Sequence, residues 1–124
     1  MTNDAPACVS ELFCGNQPLS FEIFPPRGDR TEVEARRVAG ELAELDPAGI
    51  SVTYSAGGSG NSGATTKVAS LIQNELGVPS VAHLTCQGLM RDMLEEKIAE
   101  MRAAGIKNVL ALRGDPRPDA PQGD

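Results

Sequence analysis

Leu19-Ser20-Phe21-Glu22-Ile23-Phe24, followed by Pro25-Pro26-Arg27, is a short apolar run with one carboxylate at its centre. The run is rich in aromatic and branched residues and is closed by prolines, which is the pattern of a buried strand. Three further runs share it: Gly49–Tyr54 (GISVTY), Ser80–Thr85 (SVAHLT) and Asn108–Leu112 (NVLAL). Their starts recur at about 30 residues, the length of one βα unit of an eightfold barrel.

Helical patterns fill the gaps. In Thr31–Leu45, Val38, Ala39, Leu42 and Leu45 recur at helical spacing behind a Thr31/Glu34 capping box, and Asp46-Pro47 ends the segment. In Thr65–Leu76, Val68, Leu71, Ile72 and Leu76 form a stripe, with Gly77 as C-cap and Pro79 after it. In Leu89–Ala104, Met90, Met93, Leu94, Ile98 and Met101 form another, ended by Gly105, with Arg91 and Glu95 paired on the polar side. The order β-α-β-α-β-α-β implies parallel strands with right-handed crossovers. Residues 1–18 read as an extension with a short helix at Val9–Phe13. Residues 116–124 read as a loop or tail.

Composition narrows the partners. The chain has 124 residues, 11 basic and 17 acidic, for a formal net charge of −6. An acidic balance argues against nucleic acid. There is no apolar run long enough to span a membrane and no leader-like N-terminus. Cys8, Cys14 and Cys86 are an odd set, which fits reduced thiols in a cytoplasmic setting better than a Cys8–Cys14 disulfide. Aromatic residues are only 3%, so the core is aliphatic.

In parallel α/β folds ligands bind at the carboxyl ends of the strands. Alternation puts Ser20, Glu22 and Phe24 on one face and Phe21 and Ile23 on the other. Glu22 is therefore expected at the barrel mouth, partly desolvated and suited to general acid work; the competing role is an ion pair with Arg27 or Arg113. Thr53 faces the same way and can serve a ligand or a strand carbonyl. The Gly57–Gly63 loop offers backbone N–H groups to a phosphate or is a plain turn. His83, the one histidine, suits a ligand hydrogen bond or a structural role; it alternates in facing with Cys86, so the two make a poor zinc pair. Cys86 has no second histidine to activate it as a nucleophile. Asp115, held extended by Pro116, is a turn residue or a ligand contact.

The ordered set closely resembles the methylenetetrahydrofolate reductase family. Ser20–Arg27 resembles its opening strand. Val52-Thr53-Tyr54 with Ala56-Gly57-Gly58-Ser59 resembles the second strand end, Ala82–Cys86 the third and Ala111–Pro116 the fourth. The resemblance runs from about Val9 to Pro116. It implies an FAD-dependent (β/α)8 TIM barrel that reduces 5,10-methylenetetrahydrofolate to 5-methyltetrahydrofolate with NADH or NADPH, in one-carbon metabolism and methionine biosynthesis. It implies that Glu22 assists opening of the folate's imidazolidine ring. Asp115 would tune the flavin and favour the cationic iminium. Thr53, His83, Leu112, Arg113, Gly114 and Asp115 would contact the flavin, and Glu22 and Asp115 the substrate. The full-length protein would be a homo-oligomer.

Two departures stand out: Ser55 where glycine is common, and a loop from Ser59 to Thr65 that leaves either Thr65 or Thr66 as the family's threonine. A whole barrel needs roughly 250 residues. Residues 1–124 are thus expected to be the N-terminal half of one barrel domain, with four strands and three helices, truncated in the 116–124 loop. Two other functions stay open: a non-catalytic fragment or partner subunit needing a complementary half-barrel, and a flavin-free barrel enzyme that takes a phosphorylated substrate.

Overall fold

A computed structural model describes residues 18–25, 31–54 and 62–114. The short helix expected at 9–13, Cys8, Cys14, Arg27, Asp115, the tail and most of the Gly57–Gly63 loop lie outside them. The described chain runs β1 (Ser20–Ile23), α1 (Thr31–Ala43), β2 (Gly49–Val52), α2 (Ser62–Asn74), β3 (Ser80–Thr85), α3 (Arg91–Ala103) and β4 (Asn108–Leu112). The third and fourth strands have the bounds expected from sequence, and the first two are shorter. All pairs are parallel and the sheet order is β1-β2-β3-β4. Among the described residues no helix is long and apolar enough to cross a membrane.

The helices end where their last carbonyls find donors. At the end of α1, Asp46 takes a left-handed φ of 55° and its N–H donates to the Ala43 carbonyl at 3.1 Å. A left-handed residue ends a helix by turning its N–H back onto the last turn. After α2, Gly77 adopts a φ of 71° and the Val78 N–H reaches the Ile72 carbonyl at 3.2 Å. The helix α2 begins at Ser62, three residues ahead of the expected Thr65, so Ser62 and Gly63 belong to the helix and not to the loop.

The register fixes two rows of side chains. Phe21 pairs with Ile50, Ile23 with Val52, Ile50 with Ser80, Val52 with Ala82, and Leu84 with Ala111. These residues are on the helix side of the sheet, and Ile23, Ile50, Val52, Ala82 and Leu84 are buried in the core there. The facing stripe of α2 supplies Thr65, Val68, Ala69 and Ile72, all buried. Full burial of one Ile, Val or Leu side chain contributes about 1.5–3 kcal/mol, so this layer is the main source of stability. Two polar side chains in it find partners: Ser80 Oγ donates to the Ala69 carbonyl at 2.9 Å, and Gln73 Nε2 donates to the Gly105 carbonyl, while Gln73 Oε1 is buried with no partner among the described residues. On the outer rim, Arg36 of α1 pairs with Glu75 beyond α2 at 3.1 Å.

The last unit is less covered. The stripe expected on α3 is only partly inside: Met101 is buried and Leu94 packs on the core, whereas Met90, Met93 and Ile98 are exposed. Met90 sits at the N-cap, ahead of the first helical turn. The Arg91–Glu95 pair forms at 3.2 Å on the exposed side. Between α3 and the outer side of β4, Leu84, Leu94, Ile98, Met101, Val109 and Ala111 line a groove of about 370 Å³. Burial follows neighbours as well as periodicity, and the described helices cover β1 to β3 better than β4.

Candidate functional site

Because the four strands are parallel, their carboxyl ends lie along one edge of the sheet. Glu22, Thr53, His83, Thr85, Leu112, Arg113 and Gly114 all belong to that edge. The register also assigns their faces. Glu22 pairs with Ser51, Ser51 with Val81, His83 with Leu110, and Thr85 with Leu112. All sit on the side of the sheet away from the helices. Thr53 follows Ser51 by two residues and shares that side.

Glu22 was expected in a partly desolvated mouth. Its side chain is instead 61% exposed. Its partner also differs from expectation. Glu22 Oε1 lies 3.5 Å from Nε2 of His83, whose side chain is only 8% exposed. The distance is longer than an ordinary N–H···O bond. Glu22 thus leans diagonally across β2, from the level of its register partner Ser51 towards that of Thr53. The alternation of both residues was readable from the sequence. The offset that aims one at the other was not, since it depends on how β1, β2 and β3 are staggered.

Thr53 links the two faces. Its N–H donates to the Ile23 carbonyl at 3.0 Å, which continues the β1–β2 pairing past the strand ends. Its carbonyl accepts from Thr65 Oγ1 at 2.9 Å. Its own Oγ1 is buried without a hydrogen-bond partner among the described residues. A buried hydroxyl left unpaired costs free energy, so such atoms call for an account. Thr65, fully buried on the stripe of α2, is the threonine that touches the β2 end; Thr66 Oγ1 has no partner among the described residues.

Past β3 and β4 the two chains stay together. Cys86 N–H donates to Leu112 O and Gln87 N–H to Arg113 O, each at 2.8 Å. Gly114 follows with a φ of 83°, and a Cβ built on it would run into Thr85 Cγ2. Glycine is therefore required there twice, by conformation and by space. Cys86 is a free thiol whose Sγ lies 3.7 Å from the Leu84 carbonyl. At the other end of the open face, Ser20, Gly49, Ser51, Val81, Asn108 and Leu110 border a hollow of about 480 Å³. It lies at the amino ends, away from the polar cluster. Ligands of parallel α/β sheets bind at the carboxyl ends of the strands, so the carboxyl edge is the better candidate for chemistry.

Comparison with known proteins adds an independent line. The family model for methylenetetrahydrofolate reductase matches residues 10–123. The Arabidopsis thaliana protein named methylenetetrahydrofolate reductase (NADH) 1 is 35% identical over 102 residues, covering 82% of this chain and 17% of its own. The 5,10-methylenetetrahydrofolate reductase of Salmonella typhimurium is 37% identical over 101 residues, covering 82% of this chain and 34% of its own. The Escherichia coli protein of the same name is 35% identical over the same length. The chain spans about a third of these bacterial relatives and about a sixth of the plant one. With nearly its whole length matched, the chain belongs to the methylenetetrahydrofolate reductase family.

Proposed function

We propose that this chain supplies part of the active-site wall of a methylenetetrahydrofolate reductase, an oxidoreductase that reduces 5,10-methylenetetrahydrofolate to 5-methyltetrahydrofolate at the expense of NADH or NADPH. The four parallel strands would form one sector of a (β/α)8 barrel, with the open face turned to its interior. The observation that carries the reading is the convergence on one strand-end edge, in a chain of this family, of an accessible carboxylate, a buried histidine and a buried threonine hydroxyl that has no partner among the described residues.

The residues present fit a flavin. Thr53 Oγ1 is a buried polar atom with no partner among the described residues, and an FAD hydrogen-bonding edge would supply one. Thr53, His83 and the Leu112-Arg113-Gly114 segment would hold it, with Asp115, outside the described residues, completing the set. FAD, when bound, supplies hydride transfer, which no side chain can perform.

The chain's own part is binding and proton handling. Glu22, exposed and at the strand end, would give its carboxyl proton to a ring nitrogen of the folate's imidazolidine. The O–H bond breaks, an N–H bond forms, and the ring C–N pair moves to nitrogen. The substrate carbon is left as a cationic iminium, the form that accepts hydride. Asp115 would hold negative charge near that cation. A carboxylate on an otherwise apolar strand suits this use, because only its accessible oxygens need meet the substrate.

The test is flavin retention. The intact protein, purified without added cofactor and then titrated with FAD, should show the flavin's visible absorbance and quenched flavin fluorescence. Thr53→Val should weaken that binding by about tenfold, the loss of roughly one good hydrogen bond. A protein that stays colourless with FAD but binds phosphate esters would replace this reading with the flavin-free barrel enzyme. A protein that binds FAD only after a complementary half-barrel is added would make the chain a partner subunit.

A further inference from the structure

We propose that His83 is a positioning residue for Glu22, with its Nε2–H directed at Glu22 Oε1. The proposal deepens the function proposed above and rests on it. The imidazole lies on β3 with its side chain 8% exposed. The glutamate lies on β1, two strands away, with its side chain 61% exposed. A glutamate on an open face has three free torsions and many rotamers. The 3.5 Å approach of Nε2 to Oε1 selects the rotamers that cross β2.

On β2 the path runs from Ser51, the register partner of Glu22, towards Thr53, two residues further on. Thr53, the next inward residue of β2, stands beside His83 at the same edge. One oxygen of the carboxyl then faces the buried ring and the other is turned outward, where a substrate nitrogen would arrive. The bare family resemblance gives His83 a flavin contact. The geometry adds a second task for a different atom of the ring's surroundings. Proper placement of a reacting group can be worth about a hundredfold in rate, so an anchored acid differs from a free one in a way that kinetics can read.

The ring nitrogens of His83 are assigned by the loss of their signals in His83→Gln. The first measurement is the ¹⁵N spectrum of the intact protein at a pH where the ring is neutral. The expected result is the Nε2–H tautomer, with nitrogen shifts that move on Glu22→Gln. The Nδ1–H tautomer, or signals indifferent to Glu22→Gln, would overturn the proposal. The second measurement is a double-mutant cycle on the rate of folate reduction. His83→Phe should lower that rate about tenfold or more beside Glu22 and add little beside Glu22→Gln. His83→Gln, which keeps an N–H donor, should restore much of the loss. Fully additive effects would show that the histidine acts elsewhere. If the wild-type protein reduces no folate, the functional reading fails by itself, and the tautomer still decides the pairing.

Discussion

On the helix-covered face of the sheet, Ile23, Ile50, Val52, Ala82 and Leu84 are buried in one aliphatic layer. On the open face, the same strands carry Glu22, Ser51, Thr53, His83 and Thr85. The backbone is shared and the side chains differ by one step of the strand alternation. The covered face can be apolar because α1 and α2 lie on it. The open face holds polar groups, among them Thr53 Oγ1, which has no partner among the described residues. Stability and chemistry are thereby assigned to opposite sides of four short strands, and substitutions on each side should have different signatures.

The largest stability loss should come from the covered face. Ile50→Ala empties a fully buried site at the centre of the sheet and should cost about 2–5 kcal/mol. Urea unfolding measures it, and a loss below about 1 kcal/mol would mean that this layer is not the core. Gly114→Ala should come next, at about 2 kcal/mol, because alanine tolerates a φ of 83° poorly and its methyl meets Thr85. It should also loosen the β3–β4 strand ends, visible as faster amide exchange at Cys86 and Gln87. Thr65→Val should cost about 1 kcal/mol by leaving the Thr53 carbonyl without its donor, and Thr65→Ser should recover most of it. If valine and serine behave alike, the hydrogen bond between the two faces has no energetic weight.

Much of this division is legible in the sequence. Alternation alone separates Glu22 from Phe21 and Ile23, and βα spacing gives parallel strands whose functional ends coincide. The stripe Val68, Leu71, Ile72 identifies the covered side of α2 because that helix is packed along its length. The stripe of α3 misleads, since Met93 and Ile98 have helical periodicity but no described neighbour to bury them. Glu22 misleads in the same manner: its facing is right, while its desolvation depends on elements beyond the four strands. The Glu22–His83 approach and the Arg36–Glu75 pair join residues far apart in sequence. Such contacts depend on stagger and helix placement, which local patterns do not encode. Thr65 rather than Thr66 meets Thr53 because α2 starts at Ser62, and that start fixes which threonine falls on the buried stripe.

The central claim is that the open face carries a proton donor for the folate and that this donor is Glu22. Glu22→Gln in the intact protein tests it most directly, with the two half-reactions followed separately by the flavin's absorbance. The expected result is a fall of about 10²-fold or more in oxidation of reduced flavin by methylenetetrahydrofolate. Flavin reduction by NADH or NADPH should stay near the wild-type rate, and the urea midpoint should not move. Equal loss in both half-reactions, or no loss in the folate step, would contradict the assignment.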